Sequence, residues 1–118
     1  MKIWIVENKK ELEEEEYARI LTEAGHTVQT FTNGGDVLRV FLHEYPDGIL
    51  INDQLGDWEG NTIVAVAQGQ RVRYVALMSD LPECKVPVAD GVTFFQKPIS
   101  ATDLSNFFAQ KQGNGGVK

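Results

Sequence analysis

Residues 46–60, PDGILINDQLGDWEG, constrain this chain more than any other stretch. The apolar run Ile49-Leu50-Ile51 stops at Asn52-Asp53, and a glycine-bounded loop from Leu55 to Gly60 follows. An unbroken apolar run of this length has no face left for solvent, which suits a strand covered on both sides, as in parallel sheets. Polar residues at the carboxyl end of such a strand lie where open α/β sheets place their ligands. Function is therefore to be sought around Asn52 and its neighbours.

The rest of the chain repeats that grammar. Lys2 to Val6 (KIWIV) reads as a buried strand closed by Glu7-Asn8. From Lys10 to Ala24 the residues Leu12, Tyr17, Ile20, Leu21 and Ala24 fall at helical spacings, and Gly25 is a helix stop. His26 to Thr32 alternates and predicts a second, less buried strand. Asn33-Gly34-Gly35 reads as a turn before a short helix from Asp36 to Glu44. Thr62 to Gln68 is compatible with a helix, although Thr62, Ile63, Val64 and Val66 are weak helix formers. Arg73 to Met78 predicts a fourth strand ending at Ser79-Asp80, and Val92 to Gln96 a fifth ending at Lys97-Pro98. Ser100 or Thr102 can cap a last helix carrying Leu104, Phe107 and Phe108. Strands alternating with helices predict an open parallel sheet covered on both faces, with right-handed crossovers. Residues 1–111 are expected to form one domain and the glycine-rich 112–118 a flexible tail or the start of a linker.

Charge and cysteine usage exclude several function classes. A net charge of −6 and a pI near 4.8 argue against direct nucleic-acid binding and against anionic membranes, which need basic patches. The single cysteine, Cys84, rules out an internal disulfide and fits a reducing compartment. No stretch has the length of a membrane span or the character of a signal peptide, so a cytoplasmic location is expected. His26 and His43 have no companion ligands in the sequence, which speaks against a metal role for either.

Four strands end in polar or charged groups: Glu7-Asn8, Asn52-Asp53, Ser79 and Lys97. In a parallel sheet those ends share one edge and can converge on one pocket. With IVEN, TNG, PDGILIN, LGDWEG, LMS and QKPI in this order, residues 2 to 110 resemble the receiver domain of two-component response regulators, the CheY-like family. The resemblance implies a flavodoxin-like sheet of strand order 2-1-3-4-5. It also implies an aspartate that accepts a phosphoryl group from a histidine kinase with Mg²⁺, and a Ser/Thr and a Lys that read the phosphoryl oxygens.

Carried over residue by residue, the resemblance is partial. Ser79 and Lys97-Pro98 match the hydroxyl and Lys-Pro positions, and Phe94 falls on the aromatic position that switches with activation. Glu7-Asn8 stands at the acidic pair with one carboxylate replaced by an amide, Gly56 stands where the family usually has proline, and Asn52 falls on the phosphoacceptor. An amide oxygen is not a useful nucleophile toward phosphorus. Glu7 would then be the one pocket carboxylate on this register, roughly cancelled by Lys97, and such a site has little reason to hold Mg²⁺. The expectation is a pseudo-receiver: a signalling or protein-interaction module with no catalysis, no metal and no cofactor. Its partner would be another signalling protein or a fused output domain. The alternative is a working, Mg²⁺-dependent phosphoacceptor at Asp53. Side-chain alternation along a strand would turn Asp53 to the face opposite Asn52 unless a bulge intervenes.

Two loops carry further expectations. SDLPECKVPVADG, residues 79–91, replaces the family's fourth helix, and Pro82 and Pro87 leave room for a turn of helix at most. Trp58 is either an exposed anchor for a partner or a side chain tucked over the pocket edge.

Overall fold

Alternate residues of the three central strands go to opposite faces of one sheet, which is why their sequences read as unbroken apolar runs. Trp4, Val6, Ile49, Ile51, Val75 and Leu77 enter one core cluster. Ile3, Ile5, Leu50, Tyr74, Ala76 and Met78 enter the other. The computed structural model describes residues 1–8 and 12–117, with side chains for 1–8 and 15–109. Its elements in chain order are β1 (Lys2–Val6), α1 (Leu12–Glu23), β2 (Thr27–Phe31), α2 (Gly34–Val40), β3 (Gly48–Asn52), α3 (Gly60–Gly69), β4 (Tyr74–Ser79), a 3-10 turn (Glu83–Lys85), β5 (Thr93–Gln96) and α4 (Ala101–Val117). The strands form one sheet of order β2-β1-β3-β4-β5 with every pairing parallel. This is the flavodoxin-like arrangement expected from the resemblance, with the site edge at the switch between β1 and β3.

Helices α2 and α3 cover the first cluster through Val37, Ile63, Val64 and Ala67. Helices α1 and α4 cover the second through Tyr17, Leu21, Leu104 and Phe108. The burial of Ile63, Val64 and Ala67 explains why α3 forms despite its weak helix formers: tertiary packing of the apolar stripe outweighs propensity. Gly25 ends α1 as read from the sequence. At φ +99° it lets its own N–H reach Thr22 O at 3.0 Å and His26 N–H reach Leu21 O at 3.1 Å, the Schellman closure.

Several boundaries differ from the sequence reading. Asn33-Gly34-Gly35 is not a free turn: Asn33 caps α2, its Oδ1 accepting from Asp36 N at 2.8 Å, and the two glycines are the first helical residues. Helix α2 stops at Val40 rather than Glu44, leaving Leu42 and Tyr45 exposed on the following turn. Helix α3 starts at Gly60, the residue read as closing the glycine-bounded loop, rather than at Thr62. Ser100 is the residue that caps α4, its Oγ accepting from Asp103 N at 3.0 Å. The helix read from Lys10 is described from Leu12, since residues 9–11 lie outside the description. The backbone of α4 is helical to Val117, through the segment expected as a tail; its side chains from residue 110, and Lys118, lie outside the description. No helix among the described residues is long and apolar enough to cross a membrane.

His26 gives the fold a pH dependence. The ring is buried, its Nδ1 lies 3.1 Å from the Met1 ammonium, and it meets Phe108 edge-on. Burial first, and the neighbouring ammonium second, hold its pKa below the ordinary 6.5. The folded state therefore favours neutral His26. That stability is fully present above the unfolded pKa of about 6.5 and is lost as pH falls toward the lower folded value. Urea midpoints measured from about pH 8 down to about pH 5 are expected to fall in the acid limb for wild type, and to fall less for His26→Gln.

Candidate functional site

The carboxyl ends of β1, β3, β4 and β5 surround an open cleft of about 390 Å³ lined by Glu7, Asn8, Asn52, Asp53, Gln54, Ser79, Asp80, Leu81 and Lys97. All five residues expected in the pocket are there. The pleat explains the convergence: Glu7, Asn52 and Lys97 continue the alternation of the α1/α4 face, while Ser79 continues that of the α2/α3 face.

Lys97 is held at the centre. Its ammonium lies 2.8 Å from Glu7 Oε2, with both side chains 7% exposed, and 3.9 Å from Asp80 Oδ2. The Lys97-Pro98 peptide is cis, and the chain then turns so that Ile99 N donates to Tyr17 Oη at 2.9 Å. A buried pair formed 90 residues apart in sequence ties the end of β5 to the end of β1. The Ser79 hydroxyl accepts from Leu81 N at 3.0 Å. Both groups to which the resemblance gives the reading of phosphoryl oxygens are thus engaged within the chain.

Asn52 is buried at the last residue of β3, opposite Met78 of β4. Its Nδ2 donates to Gln54 O at 2.8 Å, while Oδ1 is shielded from solvent and has no hydrogen-bond partner among the described residues. The loop that follows returns to the strand end, where Gly60 N donates to Asp53 O at 2.8 Å. A Cβ on Gly60 would lie 2.2 Å from Asn52 O and 2.8 Å from Asp53 Cα, so only glycine lets α3 start this close.

Asp53 corrects the sequence reading. It lines the same cleft as Asn52. Strand β3 ends at Asn52, and Asp53, one residue past it, has the alternation of Ser79. Asp80 was also missed as a lining residue, although it directly follows Ser79. Among the described residues the cleft lining thus includes three acidic ones, Glu7, Asp53 and Asp80, beside Lys97. The carboxylates do not gather: no group of three His, Cys, Asp or Glu side chains able to hold a metal occurs among the described residues. The Glu7 carboxylate is bound to the Lys97 ammonium at 2.8 Å. At the positions the resemblance gives for Mg²⁺ this chain offers one carboxylate, Glu7, and two amides, Asn8 and Asn52.

Phe94 is half-buried and packs against the α2/α3 core cluster. Trp58 is 46% exposed and does not lean over the cleft edge as one reading had it. Its side chain covers Gly34, where a Cβ would come within 2.9 Å of Cδ1. Beside it Asp57, which nothing in the sequence singled out, accepts from Gly34 N at 3.0 Å and Gly35 N at 2.9 Å. Burial pushes the Asp57 carboxyl up, but backbone N–H donors at Gly34, Gly35, Asp57 and Trp58 together outweigh it and hold the group below its ordinary value. Between β4 and β5 the single 3-10 turn stands in for a helix, as the two prolines predicted.

No family model matches this sequence, and no curated protein matches it. Solved structures do match its fold. A CheY-like response regulator receiver domain protein from Methanospirillum hungatei JF-1 superposes with a TM-score of 0.82 at 21% identity, over 96% of this chain and 94% of that one. The chain has the receiver fold. The N-terminal domain of a response regulator/sensory box/GGDEF three-domain protein from Carboxydothermus hydrogenoformans gives 0.76 at 24% identity over the whole of both chains. The receiver domain of the hybrid histidine kinase CckA gives 0.76 at 23% identity, over 94% of this chain and 98% of that one. On the receiver fold the cleft lies at the edge where ligands of doubly wound sheets bind.

Proposed function

We propose that this chain is a receiver-fold signalling module that works by protein interaction, without phosphorylation of Asn52 and without Mg²⁺. The observation that carries this reading is the state of the cleft. The amide of Asn52 stands at the end of β3, and Lys97 is committed to Glu7 at 2.8 Å. A carboxylate is the nucleophile that an acyl phosphate needs, and position 52 does not supply one. Switching would come from a partner with unequal affinity for two conformations of the module, since only differential affinity moves such an equilibrium. The partner would be another signalling protein or a fused output domain, in a cytoplasmic setting.

One observation favours a second reading. Asp53 lines the cleft and offers the carboxylate that Asn52 lacks. Titration with Mg²⁺ and then beryllofluoride, followed by tryptophan fluorescence, separates the two. Trp58 is exposed on the loop bordering the cleft, and Trp4 is buried in the core. No saturable change is expected, either in wild type or in Asp53→Asn. A saturable change abolished by Asp53→Asn would establish Asp53 as a phosphoacceptor and overturn the proposal.

A further inference from the structure

The cleft offers more acceptors than donors. Glu7 is matched by Lys97 at 2.8 Å, and that buried pair is electrically closed. Asp53 and Asp80 are left over. Asp53 lines the wall and makes no ion pair or side-chain hydrogen bond with a described residue. Asp80 comes no nearer to Lys97 than 3.9 Å, and its side chain is 83% exposed. Asn52 adds a further acceptor. It lines the same cleft at 6% exposure, and its Oδ1 has no hydrogen-bond partner among the described residues. Buried acceptors are nearly always satisfied, so an orphan on the wall of an open cleft marks a place for a donor from outside. The lining is not all polar. Leu81 belongs to it and is 51% exposed.

We infer that the cleft receives an arginine side chain of a partner protein, with its guanidinium on Asp53, Asp80 and the Asn52 amide and its methylene stem against Leu81. This rests on the reading above, that the chain works by protein interaction, and names the partner's chemistry at that site. Sign is the first argument. Asp53 and Asp80, on a chain of net charge −6, draw a cation. Shape is the second. The acidic side chains do not gather into a group of three able to hold a metal ion among the described residues. A metal ion needs its oxygens converged on one point. A guanidinium is a planar fork of five N–H donors and bonds acceptors that stand apart, whereas an ammonium is a compact charge that meets fewer of them. The exposed leucine is the third. It gives the apolar length of an arginine a surface while the charged head stays with the carboxylates. On the described face of α1, by contrast, the glutamates Glu16 and Glu23 are already paired with Arg19 of the same helix.

The test is an NMR titration of the full chain with the peptide Ala-Arg-Ala, acetylated and amidated at its ends. The same peptide with lysine, and with citrulline, which keeps arginine's shape without its charge, are the comparisons. Ala-Arg-Ala is expected to saturate with an affinity of about 1 mM, shifting the Asn52 side-chain amide and the backbone amides of 79–81. The lysine peptide is expected to bind more weakly and the citrulline peptide not at all. Asp53→Asn and Asp80→Asn are each expected to weaken Ala-Arg-Ala about fivefold, the upper range for an exposed ion pair. Unchanged amide shifts away from the cleft show that the variants are folded. Equal binding of the arginine and lysine peptides, shifts that follow the glutamates of α1, an affinity untouched by both variants, or no saturation would each overturn the inference. The beryllofluoride titration keeps the two readings apart. A saturable response there, abolished by Asp53→Asn, removes the proposed function and this inference with it, whereas silence from both reagents removes the inference alone.

Discussion

Replacing Lys97 with methionine is expected to destabilise the fold by about 3–5 kcal/mol, the usual cost of leaving one partner of a buried ion pair behind. The size follows from the surroundings. The Glu7 and Lys97 side chains are each 7% exposed, so water replaces little of the lost interaction, and Asp80 at 3.9 Å loses that cation as well. The double variant Glu7→Gln, Lys97→Met removes both charges and is expected to recover a large part of that loss, because the penalty lies in the stranded carboxylate rather than in the missing attraction. Urea denaturation with equal m-values checks both. A Lys97→Met protein within about 1 kcal/mol of wild type would show the pair to be no more than a surface contact.

Gly60→Ala is expected to be the most damaging single methyl in the chain. Its Cβ would sit 2.2 Å from Asn52 O and 2.8 Å from Asp53 Cα. Both neighbours are backbone, so no side chain can rotate away. Overpacking a well-packed site costs about 1–3 kcal/mol even where side chains give way, so the loss here should exceed that range. Relief requires α3 to pull back from the end of β3, and the Gly60 N to Asp53 O bond at 2.8 Å would go with it. Circular dichroism and thermal unfolding should show a lower Tm. Amide shifts in the cleft should concentrate at Asn52 and Asp53. Ala at Gly69, where an added Cβ meets nothing within 4 Å, is the control expected to be near neutral.

Much of this was legible in the chain. The strands announced themselves because a sheet buried on both faces leaves no polar alternation, and the sequence of β3 has none. The cleft followed because parallel strands bring their carboxyl ends to one edge, so Glu7, Asn52, Ser79 and Lys97 were placed together without distances. Asp80 was missed, and Asp53 was kept only as an alternative, for a common reason. Alternation assigns a side chain to a face only while the strand lasts, and both residues lie one position beyond a strand end, where the edge collects groups from both faces. Asp57 was illegible for another reason: its partners, the N–H groups of Gly34 and Gly35, are backbone, and they meet it 22 or more residues away in sequence. Asn33-Gly34-Gly35 looked like a turn because its composition is that of one, whereas the carboxylate of Asp57 and the cap from Asn33 make it the start of a helix.

The bonds from Gly34 and Gly35 to Asp57, with the Trp58 indole lying over Gly34, weld the first turn of α2 to the loop leaving β3. That loop begins at Asp53 and Gln54 on the cleft wall, and α2 carries Asp36 and Arg39 beside the open edge of the sheet. The cleft and the sheet edge are thus two windows in one wall. Both are framed by the same few bonds, those from Gly34 and Gly35 to Asp57.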